Sequence, residues 1–349
     1  MRVTMLGISG SGKTSFMAGL AQRMSQDSVS GYTISPAALS AMDAAFARAN
    51  LQQIQFAQNN FTFPIGTTST TTWTFNLLRS GKEVCFFEWI DFRGGYLDQL
   101  HDGIKEGNET ELQEFLAYVQ ASDAVIIFVD SIRAVKYHKS PGAFQQFTKV
   151  PGIFRFLIDI SRNSRPKTFI IVGTKADSDL IPPALQANGF AGLSNIVAEA
   201  TKSFYTPLLE NHWSGAIASV GAVGVGKVVS TVKVASSFRE VDMVSTEIKD
   251  FPDPVNVELP VLYCLYEELR KAVAVGSRRI GQQNDEIERI LAEKTLLNFL
   301  WAKIAKVPTP GEEAEHLRKR VENERRVLMA FAPAVPDLEK IVRQRVKIL

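Results

Sequence analysis

Apolar residues fall into short, mostly apolar runs, set apart by longer stretches with helical spacing. The runs are Val3-Thr4-Met5-Leu6, Val84 to Ile90, Ala124 to Val129 and Thr168 to Val172. Those at 124–129 and 168–172 show almost no polar alternation, which predicts strands covered on both faces. After the first run, Ser15 to Met24 sets Phe16, Met17, Leu20 and Met24 on one helical face. Leu39, Met42, Ala45, Phe46, Ala49 and Ile54 then predict an inserted helix from Pro36 to about Gln58, with Ser35 as N-cap. Trp73 to Leu78 and Glu83 to Ile90 read as a hairpin closed by Arg79-Ser80-Gly81-Lys82. Helices are expected from Tyr96 to about Gln120, broken near Gly107-Asn108, and from Gly142 to Ile160, where Phe144, Phe147, Phe154 and Phe156 read as core.

The last third changes character. Val228 to Val234 alternates valine with Ser, Thr and Lys, as an inserted hairpin or edge strand does, within an insertion of about 226–250. Asn256 to about Val275 is amphipathic through Val257, Val261, Leu262, Leu265, Leu269 and Val273. Beyond Gly276 the chain is helical and charged, with Ile287, Ile290, Leu291, Leu297, Trp301 and Ile304 in one stripe. A break at Pro308-Thr309-Pro310-Gly311 precedes helices from Glu312 to about Phe331 and from Pro336 to Leu349. The pattern predicts an α/β domain over residues 1–275 and an all-helical extension over 276–349.

Polar residues with chemical potential gather where the apolar runs end. After the first run comes Gly7-Ile8-Ser9-Gly10-Ser11-Gly12-Lys13-Thr14, a complete G-x-x-x-x-G-K-[ST] phosphate loop (Walker A) between strand and helix. Its glycines let successive N–H groups curl round a phosphate, and the following helix adds free donors and the positive end of its dipole. Gly10, Ser11, Gly12, Lys13, Thr14 and Ser15 are the candidate phosphate ligands. Lys13 would bridge the β- and γ-phosphates, and the Thr14 hydroxyl would ligate Mg²⁺. The second strand of the hairpin ends in Asp91-Phe92-Arg93-Gly94, where Asp91 can hold Mg²⁺ through water and the Gly94 N–H can meet a γ-phosphate. The strand at 168–173 ends in Thr174-Lys175-Ala176-Asp177. An aspartate there can accept both N1–H and N2–H₂ of guanine, a donor pair that adenine lacks.

Composition narrows the partners. Lys and Arg number 39 against 37 Asp and Glu, a formal charge of +2, which gives no reason to expect nucleic acid. Two cysteines, Cys85 and Cys264, lie far apart in apolar runs and predict buried thiols in a reducing compartment. The first strand begins at once, leaving no room for a signal peptide, and no apolar run approaches the ~20 residues of a membrane span. The expected location is cytoplasmic. Arg318-Lys319-Arg320 and Arg325-Arg326 alternate with Glu322 and Glu324, as on a solvated helix face. The four histidines are scattered, so no metal beyond Mg²⁺ is expected.

Three motifs in this order, each on a strand end, resemble those of the translation-factor and Ras-like class of P-loop GTPases. The resemblance spans roughly residues 1–275 and implies a three-layer domain with a six-stranded, mostly parallel sheet, binding GTP or GDP with Mg²⁺ across the strand tips. It also implies that Thr174, in place of the usual Asn, braces the phosphate loop, with Lys175 along the base and Asp177 reading it. A first-switch threonine on Mg²⁺ falls within Thr67 to Thr72, with Thr67 leading, and the backbone of Ser219 and Val220 would meet guanine O6. The long insertion and the helical extension look like the bacterial double-GTPase-type proteins of conflict-system operons.

In Ras-like members a glutamine after D-x-x-G orients the attacking water, but Gly95 stands there. The expectation is a molecular switch with slow hydrolysis that governs a protein partner through its switch loops or C-terminal helices, or a second copy of itself. Two rivals stand beside it: an ATP-dependent P-loop enzyme in which T-K-A-D is only a turn, and an interaction module that holds GTP or GDP without hydrolysing it.

Overall fold

The computed structural model describes residues 1–8, 10–26, 31–36, 71–91, 109–162, 164–234, 241–292 and 310–349. They divide into two compact units: Met1–Cys264 with Val342–Leu349, and Leu265–Ile341.

The first unit is built on β1 (Arg2–Leu6), α1 (Lys13–Gln26), β2 (Tyr32–Pro36), β3 (Thr71–Arg79) and β4 (Lys82–Asp91). It continues with α2 (Glu109–Ala121), β5 (Ala124–Asp130), α3 (Ser131–Tyr137), α4 (Pro141–Thr148), α5 (Val150–Ser161), β6 (Thr168–Thr174), α6 (Pro183–Glu210) and β7 (Ser214–Ser219). The two-stranded sheet of β8 (Val228–Val234) and β9 (Val241–Ile248) follows, antiparallel. Next come α7 (Leu259–Ala292), α8 (Pro310–Phe331), α9 (Ala334–Arg345) and β10 (Lys347–Ile348).

The main sheet has eight strands in the order β10-β7-β6-β5-β1-β4-β3-β2. The sheet thus has eight strands where six were expected, with β2 and β10 at its edges. The pairings β4–β1, β1–β5, β5–β6 and β6–β7 are parallel, and those at the edges antiparallel. Residues 124–130 and 168–174 are buried throughout, as unbroken apolarity requires of strands with a layer on each face. The core packs Phe115, Phe144, Phe154 and Leu157 from the helices against Val125, Ile127, Phe169 and Ile171 of the sheet. On α1 the four expected apolar residues are all buried, and Phe16 meets Phe128 edge-on at 5.2 Å.

Several expectations are corrected. Ser35 and Pro36 do not open a helix; they end β2, where buried Tyr32 and Ile34 alternate with Thr33 and pair against β3. The rest of the inserted helix lies outside the described residues. The helix expected from Gly142 to Ile160 is two, because Lys149 adopts φ +50° and Pro151 opens a new first turn. The helix expected to stop near Val275 runs through Gly276 to Ala292. The final helix ends at Arg345, and Lys347–Ile348 pair with Ile217 and Ala216 on β7. In the second unit, Ile287 of α7 packs with Ala314 and Val321 of α8, and Gly276 leaves room for Leu328.

Candidate functional site

Sheet topology places the phosphate loop. The chain leaves β1 and builds β4, β3 and β2 on one side, then returns to build β5, β6 and β7 on the other. The tip of β1 is therefore the switch point of the parallel sheet, where a crevice opens at the strand C-termini. Gly7, Ile8 and Gly10 to Thr14 lie there.

The loop's shape follows from its residues. Gly10 and Gly12 have φ +73° and +90°, a region costly for residues with a Cβ. A Cβ at Gly7 would lie 2.5 Å from Ser11 Oγ and 2.9 Å from Phe128 Cβ, whereas one at Gly10 meets nothing within 4 Å. The loop is thus pressed onto β5 at its root and open at Gly10. The Ser11 N–H donates to Ile8 O at 3.2 Å, and the Phe16 N–H to Gly12 O at 2.9 Å starts α1. Lys13, 6% exposed, donates from Nζ to Gly7 O at 2.7 Å and Ile8 O at 3.3 Å. Its ammonium is folded into the loop's own carbonyls, the place from which a bound phosphate would draw it. Thr14 and Ser15 are half-buried in the first turn of α1.

Two neighbouring strand tips reach the loop. Asp91 ends β4 in register with Met5 of β1 and with Thr71 of β3. This puts the acid position beside the strand that feeds the loop, and the last threonines of the 67–72 stretch beside the acid. Thr67, Gly94 and Gly95 lie outside the described residues. Among the described residues no group of three His, Cys, Asp or Glu side chains converges.

The other approach comes from β6. Thr174 Oγ1 donates to Ser11 O at 2.6 Å, with Val129 O at 3.2 Å, and its Cβ lies 3.2 Å from where a Cβ on Gly12 would stand. Threonine therefore braces the phosphate loop. Lys175, at φ +58°, does not; its ammonium pairs with Asp130 Oδ2 at 2.6 Å. No motif singles out Asp130, the partner of Lys175. It ends β5 and caps α3, its Oδ1 accepting from the N–H groups of Ile132 and Arg133.

Asp177 is 3% exposed, and its Oδ2 accepts from the N–H groups of Val223 at 2.7 Å and Gly224 at 2.8 Å. Burial raises its pKa above the ordinary carboxylate value, and those two N–H bonds oppose the rise. Both lone pairs of one oxygen are thus engaged by the turn at 221–224. The donors expected from the next strand tip are engaged too. The Val220 N–H goes to Gly173 O at 2.8 Å, and the Gly221 N–H to Val255 O at 3.0 Å. Ser219 Oγ accepts from Ser194 Oγ, and the Ser219 carbonyl accepts from Asn256 Nδ2 at 3.2 Å. Val220 therefore has no free N–H for a purine O6, because that N–H continues the β6–β7 ladder past Ser219.

No protein-family model matches the chain, and no curated protein matches it. Among solved structures it is similar to the "Signal recognition particle receptor SRb-GTP/SRX complex from Chaetomium thermophilum", at 16% identity and a TM-score of 0.37 over 64% of this chain and 92% of that one. The SRb-GDP-Mg structure from the same organism matches over the same shares at 16% identity and a TM-score of 0.30. The fold and site described above stand on strand order and loop geometry, not on these likenesses.

Proposed function

We propose that the chain binds a guanine nucleoside triphosphate with Mg²⁺ at the phosphate loop and acts as a slow GTPase switch toward a protein partner. The observation that carries this is the bond from Thr174 Oγ1 to Ser11 O, which ties the T-K-A-D strand tip to the phosphate loop. A chance turn after β6 has no reason to buttress that loop. A motif serving one nucleotide with both its ends does.

In this reading the loop N–H groups and Lys13 neutralise phosphate charge, and Thr14 with Asp91 holds Mg²⁺, whose charge offsets that developing on the transferred phosphoryl group. Thr67 and Gly94 belong to the loops that a γ-phosphate orders and hydrolysis releases. Gly95 offers no side chain to orient water, so turnover of the chain alone stays below ~10⁻² s⁻¹, the scale of a GTPase that carries its own arginine.

A second reading has its own observation. With Asp177 Oδ2 taken by Val223 and Gly224, the carboxylate does not present two free acceptors, which favours an ATP-using or base-indifferent site. Calorimetric titration of the full chain with GDP, ADP and xanthosine diphosphate separates the two. Guanine binding tighter than adenine, lost in Lys13→Ala and moved toward xanthosine in Asp177→Asn, upholds the first. Equal binding of GDP and ADP upholds the second.

A further inference from the structure

We propose that Arg345, the last residue of α9, is a positioning residue for the purine end of the site, holding through Asn256 the strand tip and turn that engage Asp177. The proposal rests on the guanine reading above.

Arg345 uses both arms of its guanidinium. Nη2 donates to Asn256 Oδ1 at 2.7 Å, and Nη1 lies 2.8 Å from Glu258 Oε1. Glu258 is 1% exposed, and neither of its carboxylate oxygens has a hydrogen-bond partner among the described residues. Arg345 is therefore the cation paired with this buried side chain, and removing it alone would leave Glu258 buried without that partner. The fork geometry also fixes the amide of Asn256: with Oδ1 accepting from Arg345, Nδ2 is turned to donate. It donates to Ser219 O at 3.2 Å and to Gly189 O at 2.8 Å, the latter within the non-helical stretch of α6. Asn256 itself sits at φ +63°, a conformation that asparagine tolerates better than most residues.

From Asn256 the path to Asp177 is short. The preceding residue, Val255, exchanges both backbone bonds with Gly221, N–H to carbonyl at 2.8 and 3.0 Å. Val223 and Gly224, two and three residues past Gly221, donate to Asp177. A Cβ at Gly221 would lie 2.8 Å from Asp177 Cβ, so the turn and the acid pack without slack. Losing the Arg345 fork frees the Asn256 amide to rotate, releases the Ser219 carbonyl, and loosens the turn that orients the carboxylate. The phosphate loop, braced separately by Thr174, keeps its shape.

The test compares GDP with inosine diphosphate, which lacks only the 2-amino group that a well-placed carboxylate reads. Arg345→Gln, Arg345→Lys and the double variant Glu258→Gln/Arg345→Gln are made in the full chain, and affinities are read by calorimetry beside thermal unfolding. The double variant replaces both partners of the buried pair by neutral amides and keeps the fold available if the single variant does not fold. We expect the wild type to prefer GDP over inosine diphosphate, and that ratio to fall by about tenfold in Arg345→Lys and in the double variant. A folded variant that weakens both nucleotides equally, or neither, assigns Arg345 a purely structural tie and overturns the proposal while the guanine reading stands. A wild type that binds GDP and ADP alike removes the guanine reading itself, and the proposal with it.

Discussion

At the scale of single residues, the site is governed by which hydrogen-bonding capacity is already spent. Thr174 donates one hydroxyl hydrogen toward two carbonyls, and this suffices to hold Ser11 in place. Asp177 is the more demanding group, because an ionised carboxylate without solvent is costly unless its acceptors are filled. Its pKa is raised, so the folded state favours the neutral acid. For an acid of this kind the stabilisation is fully present below the unfolded value of about 3.8 and is lost as pH climbs through the folded one. Asp177→Asn keeps an acceptor for Val223 and Gly224 but carries no charge. Thermal unfolding should show it more stable than the wild type at neutral pH, with the gap closing as the solution is acidified. A gap that does not change with pH would mean the buried charge costs nothing. The identity of this residue as the base-reading candidate was legible in the motif; its bonds to residues 46 and 47 positions away were not.

Among the elements, those with strong local signals were legible almost to the residue. The β3–β4 turn is the clearest: Arg79 pairs with Lys82 across Ser80 at φ +50° and Gly81 at φ +77°, the left-handed pair that a two-residue hairpin needs. Gly81→Ala adds a Cβ where nothing stands within 4 Å. Its cost is therefore conformational alone, about 1–2 kcal/mol, and should be read as a lower urea midpoint with an unchanged slope. The elements that were misread lacked such a signal. Pro36 is a good first residue for a helix and is equally allowed at the end of an edge strand, and only pairing with Phe75 decides between them. Lys347-Ile348 is too short for any periodicity and becomes a strand because β7 offers it an unpaired edge. Val220 reads as a loop residue but extends the ladder through Gly173.

For the whole molecule, the two units differ in what holds them. The sheet unit buries two complete strands under layers of Phe, Ile and Leu, while the described core of the helical unit is Ile287, Ala314 and Val321 with Ile280 and Leu317 beside them. Local opening follows buried apolar packing, so amide exchange should be faster along α8 than along β5 and β6 in the native protein. Equal protection would show that the chain opens as one cooperative body. No membrane-crossing helix occurs among the described residues, in line with the pattern of short apolar runs. The sequence showed that a helical stretch follows the α/β domain, but no local pattern announces that the chain then comes back. Asn256 and Arg345 are 89 positions apart. A ribosome adding ~5–20 residues each second delivers the arginine roughly 4 to 18 s after the asparagine. Through that interval Asn256 and Glu258 stand without the Arg345 contacts that they make in the folded chain, so the nascent chain can assemble its glycine-rich loop early but gains this tie only with its last helix.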